Sequence, residues 1–147
     1  MSQQARPLLQ IGMQAAGAVP FARAVALATP ATPGAMSGAR CTTSGQQFLG
    51  IAARPANDLE FFEATVAGTA VWESGGVFAL TDVLQSDALG RCIKTAALTV
   101  ATGATAMTST AANGAVLAGG ALPSYAGAIP LQAATAAGQF IEVLLLR

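Results

Sequence analysis

The sequence predicts a mainly β protein: one small domain, an extended N-terminal arm, and at most short helical turns. Three observations carry that expectation. Apolar residues alternate with polar or small ones at a period of two in several stretches. Glycine and proline punctuate those stretches at turn-like intervals. No heptad and no sustained 3.6-residue apolar period runs anywhere along the chain. At 147 residues there is room for one hydrophobic core and not for two. The expected division is an arm over residues 1–14 and a β-rich domain over 15–147.

In the arm, Leu9, Ile11 and Met13 alternate with Gln10, Gly12 and Gln14, and Arg6 is the one charge. Pro7 removes a backbone donor and discourages helix, so the arm is expected to be extended. An extended segment with one apolar face suits addition to a neighbour's sheet edge. Arg6, Leu9, Ile11 and Met13 are therefore the candidate contact residues. The competing expectation is an ordinary first strand of the domain's own sheet.

Alternation continues through Phe21, Val25 and Leu27, with Arg23 interrupting the apolar face. "PATPGAMSG", Pro30 to Gly38, is a loop by composition. "QQFLGIAA" and "LEFFEATVAGTAVWE" read as strands, with Gly68 a bulge or a turn between two of them. "ESGGVF" signals a tight hairpin, because Gly75-Gly76 supplies the positive φ that primed turns need. Thr81 is placed to cap one helical turn. "SDALGRCI" is a second turn, with Asp87 making a side-chain turn and Gly90 at positive φ before a strand from Arg91. "QFIEVLLLR" sets Ile141, Val143 and Leu145 on one face and Phe140, Leu144 and Leu146 on the other, as in a central or covered strand.

Charge is scarce. Charged residues make up 10% of the chain and hydrophobic ones 53%, against about 25% charged in a typical soluble domain. Seven basic residues balance seven acidic ones, and the 47 positions from Thr95 to Ile141 carry no charge. A membrane span is not expected, because Thr102, Gly103, Thr105, Asn113, Pro123 and Pro130 break the run below the ~20 apolar residues a helix needs. Disorder fits poorly with a mean hydropathy of +0.55. Burial against neighbouring subunits remains, and zero net charge favours association. Gln10, Gln14 and Arg23 interrupt what would be the apolar core of a leader peptide.

The residues offer little chemistry. Without histidine there is no Ser-His-Asp or Cys-His site and no ordinary zinc site. No phosphate-binding glycine motif occurs. Cys41 and Cys92 lie 51 positions apart with no CxxC, and read as reduced thiols, with a single disulfide as the alternative. Glu60 and Glu63 are the best acid pair, but three positions apart on a strand they point to opposite faces. Six Arg and one Lys are scattered singly, so no nucleic-acid stripe forms. No catalysis and no cofactor are expected. Trp72 and Tyr125 are the residues a carbohydrate-binding or adhesive module would use, which is the alternative function.

The segment "VAGTAVWESGGVFALTDVLQSDALGRCIKT", followed by "GATAMTSTAANGAVLAGGALPSYAGAIPLQAATAAGQFIEVLLLR", resembles the small capsid decoration, or cement, proteins of tailed bacteriophages. The features that carry the resemblance are G-T-A-V at Gly68 to Val71, S-D-A-x-G-R at Ser86 to Arg91, and Q-F-I-E-V-L-L at Gln139 to Leu145. Thr81 departs from a glycine common in those relatives, as does the long Ala/Thr segment. The resemblance implies a small β-barrel, β-tulip or β-sandwich domain on the outer surface of the virion. It also implies the major capsid protein as partner and self-association, as a homotrimer by preference or a dimer. The implied role is to bridge subunits of the expanded shell, with no nucleic acid or membrane involved.

Overall fold

The computed structural model describes residues 5–95 and 125–146. Among these there are nine strands and no helix: β1 (Pro7–Ala15), β2 (Ala24–Ala28), β3 (Ser37–Arg40), β4 (Gly50–Ala52), β5 (Phe61–Glu73), β6 (Leu84–Ser86), β7 (Cys92–Lys94), β8 (Ala128–Pro130) and β9 (Phe140–Leu145). The protein is mainly β. Residues 96–124, most of the uncharged run, lie outside the described part of the chain.

The strands form one hydrogen-bonded series, β1-β3-β2-β4-β5-β9-β8-β6-β7, and an added β1–β5 pairing turns its first five members into a closed ring. A single bridge between Ser74, just past β5, and Cys92 in β7 links the ends of the remaining series. The thirteen-residue β5 therefore serves both halves: Phe61 to Gly68 pairs with β1, and Thr69 to Glu73 pairs with β9. Gly68 is the junction, at φ +92°. A Cβ there would lie 2.6 Å from both the Arg6 carbonyl oxygen and the Leu8 nitrogen, so only glycine fits. Gly68 is thus a bulge within one strand and does not separate two.

Two apolar clusters follow from this topology. Met13, Ala15, Val25, Ala52, Phe62 and Ala64 fill the first ring. The larger cluster packs Phe48, Trp72, Phe78, Leu84, Ile141, Val143 and Leu145 against Ala24, Ala26 and Ile51. Strands β2 and β4 thus contribute to both clusters, and a strand covered on both faces loses its simple alternation. Gly38 belongs to the first ring's interior, where a Cβ would meet Met13 Sδ at 2.5 Å and Val25 Cγ1 at 2.8 Å.

Several local expectations are corrected. Residues 7–14 are no separate arm, because β1 runs to Ala15 and pairs antiparallel with β5 from Pro7↔Gly68 to Gln14↔Phe61. Gly75-Gly76 makes no primed hairpin: neither is at positive φ, and β5 finds its partner in β9 instead. Residues 79–82 form a turn, not a helical one. Ala79 donates to the Asp82 carboxylate at 2.8 Å, and Asp82 N–H donates back to the Ala79 carbonyl at 3.2 Å. "QQFLGIAA" shortens to β4, and the proline loop ends at β3, which begins at Ser37. The turn at 86–91 forms as expected: Asp87 Oδ1 accepts from Leu89 and Arg91 N–H at 2.8 Å each, with Gly90 at φ +74°.

Candidate functional site

The candidate acids do not converge. Glu60 closes a turn, its carboxylate accepting the Asn57 N–H at 2.7 Å and the Asn57 amide at 3.2 Å. Those hydrogen bonds hold its carboxyl below the usual range. Glu63 is exposed on β5 opposite Gly12. Asp87 is engaged by Arg91, whose guanidinium lies 2.8 Å from Oδ2. Among the described residues no group of three His, Cys, Asp or Glu is placed to hold a metal ion. Both thiols are free and buried. Burial pushes Cys41 up to about 11 and raises Cys92 as well, so neither is a nucleophile near neutral pH.

Trp72 is fully buried, donates its indole N–H to the Gly90 carbonyl at 2.8 Å and meets Phe48 edge-on at 5.0 Å. Tyr125 is half-buried and also packs on Phe48, with centroids 5.9 Å apart and ring planes nearly perpendicular. Trp72 therefore presents no face to a sugar, which removes the main support for a carbohydrate-binding module. Trp72 and Phe48 are core, and the indole ties the 86–91 turn to it.

The four candidate contact residues separate along β1. Arg6 is exposed, with its backbone paired to Thr69: N–H to Thr69 Oγ1 at 2.7 Å, and carbonyl from Thr69 N–H at 3.1 Å. Leu9 is 50% exposed and Ile11 half-buried. Met13 is 1% exposed and belongs to the first ring's interior, so it offers no surface contact. From Ile11 to Met13 one face of the strand passes from half-buried to closed, while Leu9 lies beyond a shift in the β1–β5 register.

Other exposed apolar side chains were not among the candidate contact residues. Phe21 and Phe140 stack at 5.6 Å, 39% and 45% exposed. Between Phe21 and the start of β1 lies a shallow cleft of about 200 Å³, lined in part by Pro7, Gln10, Ala53, Thr65 and Val71. The alternation of "QFIEVLLLR" did mark Phe140 as facing away from Ile141 and Val143. The alternation of Phe21, Val25 and Leu27 put Phe21 on a strand, but β2 begins only at Ala24 and Phe21 sits in the turn ahead of it.

No protein-family model matches the sequence, and no curated protein matches it either. The fold is similar to that in the crystal structure of the head fiber gp8.5 N base in bacteriophage phi29. The TM-score is 0.64 at 11% identity, over 94% of this chain and 93% of that one. At that identity the likeness is one of fold, and it runs nearly the full length of both chains.

Proposed function

We propose that the protein is a structural component of a tailed-phage head, a decoration protein that binds the outer surface of the expanded major capsid shell and bridges its subunits. The observation that carries this reading is the near full-length fold likeness to a head fiber base. Balanced, sparse charge and exposed apolar side chains such as Leu8, Leu9, Phe61 and Phe140 support it, since they suit a surface that is covered on assembly. The role needs no cofactor and no catalysis. Contacts spanning subunits resist the outward pressure of packaged DNA, and a homotrimer or dimer multiplies weak contacts into avidity. The partners are the capsid protein and further copies of this chain.

The test is to mix purified protein with undecorated heads, expanded and unexpanded, and to image them. Ordered extra density on expanded heads alone is expected. Its absence overturns the reading. The same fold likeness favours a second reading, the base of a fibre standing on the head. Heat resistance of the heads separates the two: a bridging protein raises the temperature at which they rupture, and a fibre base leaves it unchanged.

A further inference from the structure

Hydrogen-bond directions along β1 leave one edge open. Gln14 N–H donates to the Met36 carbonyl at 2.9 Å and Ala16 N–H to Gly38 at 2.9 Å, both toward β3. Ala15 N–H donates to Glu60 at 2.8 Å, toward β5. The β1–β5 register is regular from Gln10↔Thr65 to Gln14↔Phe61, so the peptide groups of Gln10 and Gly12 also point away from β5. Strand β3, however, meets β1 only at Gln14↔Ser37 and Ala15↔Gly38. Ahead of Gln14 the lane that β3 occupies is empty among the described residues, and Gln10 and Gly12 are exposed.

We propose that this lane is a docking site for a short extended segment of a partner protein, which adds to β1 beside Leu9 to Met13 in the lane that β3 vacates. This rests on the capsid-binding reading above and names how the contact is made. Edges left open in monomers are ordinarily blunted by charge or proline. Here no charge lies between Pro7 and Ala15. Pro7 ends the lane on one side and Met36 on the other. Five residues at about 3.3 Å each give a stretch of roughly 16 Å.

The topology selects the occupant. The β1 of a second copy, fixed to its own β5 and β3, would run into the lane that β3 already fills from residue 14 onward. Only a segment free of its own sheet fits. Ile11 lies on the face that continues to Met13 inside the ring, and exposed Leu9 lies just ahead of it. Leu27, 64% exposed, leaves β2 at the same end with the parity of Val25. The segment is therefore uncharged and apolar at alternate positions, with main-chain bonds to Gln10 and Gly12.

The test uses Gly12, where an added Cβ would meet nothing within 4 Å. Gly12→Ala keeps the outward N–H and Gly12→Pro removes it, while the bonds to β5 come from Ile11 and Met13. On expanded heads, Gly12→Ala should bind as the natural chain does and Gly12→Pro about tenfold or more weaker. Equal binding by the proline variant, or equal loss in both, overturns the proposal. Should the proline variant fail to fold, amide exchange on the natural chain decides. The Gln10 and Gly12 amides should exchange fast in the free protein, Ile11 and Met13 slowly, and segment 8–14 should gain protection on heads. Protection of Gln10 and Gly12 in the free protein means the lane is already filled by this chain or by a second copy, and overturns it too. A natural chain that fails to bind heads at all sinks the capsid reading instead.

Discussion

Replacing Gly68 by alanine should be among the most damaging single-methyl additions to this protein. Two effects combine. At φ +92° a side-chain-bearing residue is strained, by about 1–3 kcal/mol. The new Cβ also lies 2.6 Å from two backbone atoms of β1, which cannot swing aside as a side chain would. Strand β1 must retreat, and the paired bonds between Arg6 and Thr69, at 2.7 and 3.1 Å, go with it. Two such bonds add about 0.5–1.5 kcal/mol each, for a total of roughly 2–6 kcal/mol. That corresponds to a fall in Tm of roughly 5–20 °C. Two glycines calibrate the parts. Gly138, at φ +84° with open space around its would-be Cβ, isolates the strain, about 1–2 kcal/mol. Gly76 has neither strain nor a close neighbour, and alanine there should change stability by no more than about 0.5 kcal/mol. Urea unfolding of the three variants measures the ladder. Equal losses for Gly68→Ala and Gly138→Ala would refute the claim that β1 is pressed against the junction.

The buried thiols should stay silent to Ellman's reagent at pH 8 in the native protein and react in denaturant; fast native reaction would contradict their burial. Their raised folded values also give alkaline lability. Above the ordinary thiol value of 9.0 the unfolded chain loses protons that the folded one keeps, so stability falls toward about pH 11, by up to about 1.4 kcal/mol per pH unit per thiol. Stability that holds flat to pH 11 would contradict this. Trp72→Phe removes the 2.8 Å indole donor from the Gly90 carbonyl, which keeps the Ala24 N–H at 2.7 Å, and opens a gap beside Phe48, and should cost about 2–4 kcal/mol in urea unfolding. Head binding should change less than about threefold between low and moderate salt, since no charge lies along β1; a steep salt dependence would point to an ionic contact instead.

What the sequence disclosed was local. Asp87 and Gly90 form their turn from residues within five positions of each other, and their chemistry is readable without the rest of the chain. The alternation of Leu9, Ile11 and Met13 announced a strand but not its partner, because a period of two is the same in the chain's own sheet and in a neighbour's. The glycine pair at 75–76 misled for a related reason. Gly75 is small because Asp87 Oδ2 and Ile93 Cγ2 approach its would-be Cβ to 2.8 and 2.9 Å, a requirement set by the distant 86–91 turn and β7 and not by a turn at Gly75 itself. Ser74 meanwhile binds across 65 positions, accepting the Gln139 N–H at 3.0 Å and carrying the end of β5 toward β9. Long-range pairing outweighed a local turn signal. In β2, "AVA" shows no amphipathic pattern because Ala24 and Ala26 face one cluster and Val25 the other.

The two halves are also unequally packed, and the inequality falls where a docking edge needs it. The cluster around Trp72 contains fifteen buried residues, three of them aromatic; the one inside the first ring contains eight, half of them alanine. Alanine buries little area, so the first ring gains less from its interior at about 25 cal/mol per Å². Its strand β1 is held on both edges only from Gln14 onward and on a single edge before that. Local opening follows the fewest buried contacts and the most exposed backbone bonds. The N-terminal half of β1 should therefore exchange its amides first within the ring, and β5, shared by both halves, last. A segment arriving beside Gln10 and Gly12 would meet the least constrained strand of the ring and would complete the coverage that β3 begins. The core around Trp72 would hold its shape throughout.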